Sequence, residues 1–242
     1  MVGAREKSMA SRVQIRLKIF TDSHPFLGPT VYMSSVLYFV AQIVVAWNWK
    51  PPYSVVRNNI SDLGNTHCGK YGLEYVCSTH HFIMNSAFIL LGVIMAVGST
   101  LIYQEFTFLE ARQRMGARVG FAVMGIAGIG AILVGSFPEN SIKFMHLAGA
   151  AVAITLGNVA IFILGWYLPL SRNWRDSMRW FSLLAIVAFL LFVSHRDFGV
   201  GNGTMERFAQ YPQTIWLILF GIYISRDHYS RRRRLTTAGN QE

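Results

Sequence analysis

Six long apolar runs constrain this chain more than any other feature. They lie at 29–48, 82–104, 117–137, 142–168, 180–197 and 205–225. About 20 helical residues cross the roughly 30 Å hydrocarbon core of a bilayer. In that core no water is available to backbone N–H and C=O groups, so a spanning segment must satisfy them itself, as a helix does. The runs are unbroken and show no period of two, which sets strands aside. Charged residues make up only 14% of the 242 residues, against about 25% in soluble domains. The expectation is an all-α integral membrane protein, a six-helix transmembrane bundle over 28–226. A basic arm at 1–27 precedes it and a basic tail at 227–242 follows. The fifth run is the shortest, and it spans only if Ser194 and His195 also sit at membrane depth.

The net charge of +10 raises the question of nucleic acid, but the placement of the charges argues for topology instead. Arg5, Lys7, Arg12, Arg16 and Lys18 lie in the arm, Arg112, Arg114 and Arg118 in the second loop, and Arg172, Arg175 and Arg179 in the fourth. Arg226 and Arg231 to Arg234 lie in the tail. The opposite side has only Lys50, Arg57, Lys70, Lys143, Arg196 and Arg207. Basic residues concentrate on the cytoplasmic side of membrane proteins. Both termini are therefore expected in the cytoplasm, and the tail reads as a contact for anionic lipid rather than nucleic acid. The arm is basic and has no apolar core, so the first run reads as an uncleaved anchor in the plasma membrane.

The first outer loop, 49–81, is the longest. Pro51-Pro52 ends the first helix. Ser54 suits an N-cap and Gly64 a C′ position, with Val55, Val56, Asn59, Ile60 and Leu63 in amphipathic spacing between them. A short interfacial helix is expected there. Asn58 and Asp62 share one of its faces, as do Arg57 and Ser61. Cys68 and Cys77 lie in the same loop, where an oxidising side permits a disulfide. Two free thiols and a weak zinc site with His80 are the alternatives.

Further polar residues fall at the same level. Glu139 lies in the turn Phe137-Pro138-Glu139-Asn140, His146 near the start of the fourth span, and Glu206 and Arg207 in the first turn of the sixth. Ionisable groups near membrane depth face one another or a water-filled cavity. The expected site is a polar pocket on the outer face. Asp62, Glu139, His146 and Glu206 are its candidate catalytic groups, and Arg57, Asn58 and Arg207 its substrate-binding groups. No motif points to a metal, and no cofactor is indicated. Each residue also has a plainer reading: Arg207 as an ion-pair partner, His146 as a cap on a loop carbonyl, Glu206 as a complement to the helix dipole.

"ISDLG" after the first span, "FPEN" followed by His146 in "HLAGA", and "GTMERF" opening the last span, with Trp216 inside it, resemble a family of small multispan membrane proteins catalogued as domain of unknown function 998. The resemblance covers roughly residues 30–225 and implies an architecture, not an activity. A more distant likeness is to FRAG/DRAM-type six-span proteins. The Cys68–Cys77 loop has no counterpart in the general family pattern.

Three functions fit these residues. One is a membrane-embedded enzyme acting on a lipid or other hydrophobic small molecule by acid/base chemistry, with Arg57 and Arg207 holding an anionic group. The second is a non-catalytic binder or transporter of such a molecule. The third is a structural subunit in which the polar cluster locks the bundle. No nucleophile motif, H-E-x-x-H or phosphate loop occurs. Membrane lipids are the expected partners.

Overall fold

The computed structural model describes residues 2–50, 52–71 and 74–239, with side chains at 12–50, 52–71 and 75–230. Pro51 and the side chains of Arg5, Lys7 and Arg231 to Arg234 lie outside the described residues. Helix α1 is Val2–Ser23, α2 Leu27–Met33, α3 Val36–Trp47, α4 His81–Tyr103, α5 Ala111–Ser136, α6 Lys143–Tyr167, α7 Arg172–Val193 and α8 Asn202–Gly239. Among the described residues five segments are long and apolar enough to cross a membrane: Leu27–Trp47, His81–Phe106, Ala111–Ser136, Lys143–Tyr167 and Arg172–Val193. That composition marks an integral membrane protein. The sixth apolar run, 205–225, lies inside α8, which is not among those five.

Two spans differ from expectation. The first is broken at Ser34–Ser35 into α2 and α3. The fifth begins eight residues earlier than the apolar run, at Arg172, and ends at Val193. Ser194 caps it, and His195 turns away with φ 54°. Arg172–Val193 is thus long and apolar enough to span without Ser194 and His195.

Small residues set how closely the helices pack. A Cβ at Gly92 of α4 would fall 2.3 Å from the Gly128 carbonyl oxygen of α5. One at Gly130 of α5 would fall 2.6 Å from the Gly149 carbonyl oxygen of α6, and one at Gly149 2.8 Å from that of Gly130. Backbones this close gain dispersion contacts, which drive helix association where lipid is as apolar as leucine. On the α8 side the core is aromatic, with Trp216 stacked on Phe220 at 4.7 Å between centroids.

The expected α-helix over 54–64 does not form. Residues 55–57 make a turn, and only Ser61–Gly64 is helical, as a 3-10 turn. Instead of lying along an interface, Ile60 to Asn65 are buried. Beyond them, β1 (Gly69–Tyr71) pairs antiparallel with β2 (Glu74–Val76), a hairpin absent from the all-helical expectation. The register Gly69↔Val76 brings the flanking Cys68 and Cys77 together, and they are joined by a disulfide. The zinc alternative with His80 falls, because both sulfurs are consumed.

Candidate functional site

The first turn of α8 sits against the backbone of the 53–65 loop. Gly201 and Gly203 allow this approach: a Cβ at Gly203 would lie 2.2 Å from the Asn58 carbonyl oxygen, and one at Gly201 2.3 Å from that of Val56. Gly201 also has φ +89°, a left-handed value that glycine adopts freely. The Thr204 N–H donates to the Val56 carbonyl at 3.3 Å.

Arg207 is the centre of the junction. Its Nη1 donates to the carbonyls of Val55 (3.0 Å), Asn58 (3.0 Å) and Gly203 (2.7 Å), and its Nη2 donates to the Tyr53 hydroxyl. The Tyr53 hydroxyl donates in turn towards the carbonyls of Asn59 (2.7 Å) and Asn58 (3.2 Å). Burial pushes the Tyr53 phenol above its ordinary pKa, with the nearby Arg207 charge opposing. The Glu206 carboxylate accepts from the N–H groups of Ile60 and Ser61. Asp62 reaches back to accept from the Asn59 N–H at 2.8 Å.

These bonds explain the missing helix. An α-helix over 54–64 would spend the Val55, Asn58 and Asn59 carbonyls on N–H groups four residues later. Arg207 and Tyr53 occupy those carbonyls, while Glu206 and Asp62 occupy the N–H groups of residues 59 to 61. One α-turn survives, from the Asn58 N–H to the Ser54 carbonyl at 2.8 Å. Asn58 closes it by accepting the Ser54 N–H at 2.9 Å.

The other candidates are placed as follows. His146 is buried, and its Nδ1 donates to the Phe137 carbonyl at 2.9 Å, so it caps the α5–α6 turn. Arg57 is exposed on the turn at residues 55–57. Glu139 is half-buried, and its Oε2 is enclosed without a hydrogen-bond partner among the described residues. Asp62 and Glu139 both lie within electrostatic reach of Glu206. The structure thus brings Asp62, Asn58, Glu206 and Arg207 into one network with Glu139 beside it, and gives His146 a separate partner.

The sequence reading missed several members. Tyr53 is the hydroxyl relay between Arg207 and the loop. Asn85 of α4 donates to the Gly64 carbonyl at 2.9 Å, and Ser78 to that of Leu63 at 2.6 Å. Asn140 accepts from the Thr66 N–H at 3.1 Å, which holds residues 65–66 against residues 139–140. Asn65 is fully buried, and both atoms of its amide lack a partner among the described residues. Its place directly after "ISDLG" was the one available signal. No group of three or more His, Cys, Asp or Glu side chains placed to hold a metal occurs among the described residues. The two cavities described, of about 400 and 460 Å³, lie elsewhere, one beside Glu110, Arg112 and Trp166, the other between Phe26, Met33 and Tyr229.

Comparison with curated proteins gives no match, and comparison with solved structures gives none. The sequence of residues 33–223 matches the family described as protein of unknown function (DUF998), and the chain, with its multiple apolar helices and its buried junction between the first loop and the last helix, belongs to that family.

Proposed function

We propose that this is a six-span protein of the plasma membrane, with both termini cytoplasmic, that binds the polar head of a lipid or similar small amphipathic molecule at its outer end without turning it over. One observation carries the binding reading. Asn65 and the Glu139 Oε2 are enclosed and unpartnered among the described residues, beside a network whose other members have partners. Buried polar groups almost always find a hydrogen-bond partner. An amide that can both give and accept, brought towards a carboxylate oxygen that accepts by the contact of the adjoining Thr66 and Asn140, suits a head group rich in hydroxyl or ammonium donors.

The acid/base reading is weaker on the same geometry. Asp62, His146 and Arg207 each hold backbone groups, so each already has a structural duty. The Arg207 bonds instead favour the structural role as a companion to binding: they hold the first outer loop against the start of α8. Two features support the topology. Along 205–225, Phe208, Ile215 and Leu219 are exposed and apolar while the opposite face is buried, as a lipid-facing helix requires. The disulfide lies at the end remote from the basic segments, which suits an oxidising outer side.

The test is native mass spectrometry of the protein released from lipid nanodiscs. One lipid or small molecule retained per chain, and lost in an Asn65→Ala, Glu139→Gln variant that remains monodisperse, is the expected result. A folded wild-type chain that retains nothing would leave the structural role alone. A retained metal ion, or a product formed from an added lipid, would restore the enzyme.

A further inference from the structure

A second polar feature runs inward from the junction. On α8, Glu206, Gln210, Gln213 and Thr214 recur at helical spacing, so they share one face. All four are buried. From Glu206 to Thr214 the helix rises about 12 Å, deep enough to approach the middle of the apolar layer. Asn158 of α6 and Tyr38 and Gln42 of α3 are buried polar residues on the neighbouring helices.

The hydrogen bonds made there leave a definite remainder. The Asn158 amide nitrogen donates to the carbonyls of Ile154 (2.8 Å) and Ala209 (3.1 Å), which settles its orientation and leaves Oδ1 without a donor. The Gln213 Nε2 donates to the Gln210 Oε1 at 3.0 Å, and the Gln213 Oε1 is unpartnered among the described residues. Gly157 makes room for that oxygen, since a Cβ there would lie 1.8 Å from it. The Tyr211 hydroxyl donates to Gln42 at 2.8 Å, which leaves the Gln42 Nε2 unpartnered, as are the Tyr38 and Thr214 hydroxyls.

We infer that these side chains line a hydrated cleft between α3, α6 and α8, holding ordered water from the level of Glu206 to that of Thr214. The unpartnered groups are two carbonyl acceptors, one N–H donor and two hydroxyls. A metal cation satisfies acceptors only, and an anion donors only. Water satisfies both, and so does a small neutral hydrogen-bonding solute. Left dry at membrane depth, each of these groups would be costly, and buried water occurs in proteins where several polar groups converge in this way. The same helix also presents a side chain that packs only on apolar neighbours, although that residue's carbonyl accepts from Asn158. Ala209 is fully buried among Ile154, Phe189 and Met205.

This inference stands apart from any ligand at Asn65 and Glu139, and its test is separate. The chain's two cysteines are bonded to each other, so one introduced cysteine is the only free thiol. Thr214→Cys and Ala209→Cys are each reconstituted in lipid vesicles and exposed to silver ion, a small water-borne thiol reagent. Silver-blocked thiol is then counted with a maleimide after unfolding. Thr214→Cys is expected to react at least tenfold faster than Ala209→Cys. Equal rates, fast or slow, would overturn the inference, because water would then either enter without regard to the polar face or not enter at all. Radiolytic hydroxyl-radical labelling of the unmodified protein gives an answer that needs no variant. Tyr38 should be labelled well above the equally enclosed Phe220, and Tyr38 labelling no greater than that of Phe220 would likewise overturn it.

Discussion

At the residue scale, Arg207 does the most. A buried guanidinium is tolerated only when its donors are matched, and here four acceptors match them: three carbonyls and a hydroxyl. Lysine keeps the charge but not the planar fork. Arg207→Lys should cost about 2–4 kcal/mol, read as a lowered thermal unfolding midpoint in detergent. His146→Ala removes the hydrogen bond to the Phe137 carbonyl and should cost about 1 kcal/mol in the same assay. A total loss of folding in His146→Ala would show that it holds more than the Phe137 carbonyl. Tyr53 predicts a pH effect. Its folded-state pKa is raised by burial, so its contribution is full below the ordinary tyrosine pKa of about 10. It fades as pH rises further, because the unfolded chain ionises first. Unfolding midpoints measured from pH 8 to 11 should therefore fall less steeply in Tyr53→Phe than in the parent chain. Which residues would be polar and grouped was legible in the sequence; what they bond to was not. Spacing places Asn58 and Asp62 on one face of a helix, but it cannot weigh that helix against donors 149 residues away, such as Arg207 at the Asn58 carbonyl.

At the scale of elements, the apolar runs found the helices because lipid imposes both length and composition on them. The α4, α5 and α6 boundaries fall close to runs two, three and four. The first outer loop escaped, since its conformation depends on α8 rather than on its own pattern, and the hairpin pairs two strands of only three residues each. The structure separates tight glycine positions from loose ones. Gly130→Ala should destabilise by about 1–3 kcal/mol, because its Cβ meets backbone of α6. A Cβ at Gly125 has its nearest neighbour at 3.9 Å. Gly125→Ala should therefore be neutral, or stabilising by up to about 1 kcal/mol through helix propensity. Chemical or thermal unfolding of the pair checks both signs. In the loop, Cys68 and Cys77 are nine residues apart. Replacing both by serine should cost about 2–3 kcal/mol through released chain entropy, measured against the parent chain under non-reducing conditions.

On the scale of the whole molecule, polarity is sorted by depth. The hydrogen-bonded cap closes one end, where the first loop, the α5–α6 turn and the start of α8 meet. Basic segments gather at the other, where His228 near the end of α8 sits 3.4 Å from Glu105 beyond α4. Between them the α8 face with Gln210, Gln213 and Thr214 went unread in the sequence, because amides inside an apolar run look like dilution until neighbouring helices show which way they turn. Asn65 and the Glu139 Oε2 are enclosed without partners among the described residues, and the proposed ligand would meet them there. The most direct test is an experimental density map of the protein in lipid nanodiscs, read around those two side chains. Ordered non-protein density within about 2.7–3.2 Å of the Asn65 amide and a Glu139 oxygen is the predicted result. Both side chains satisfied by protein alone, with no such density beside them, would contradict it.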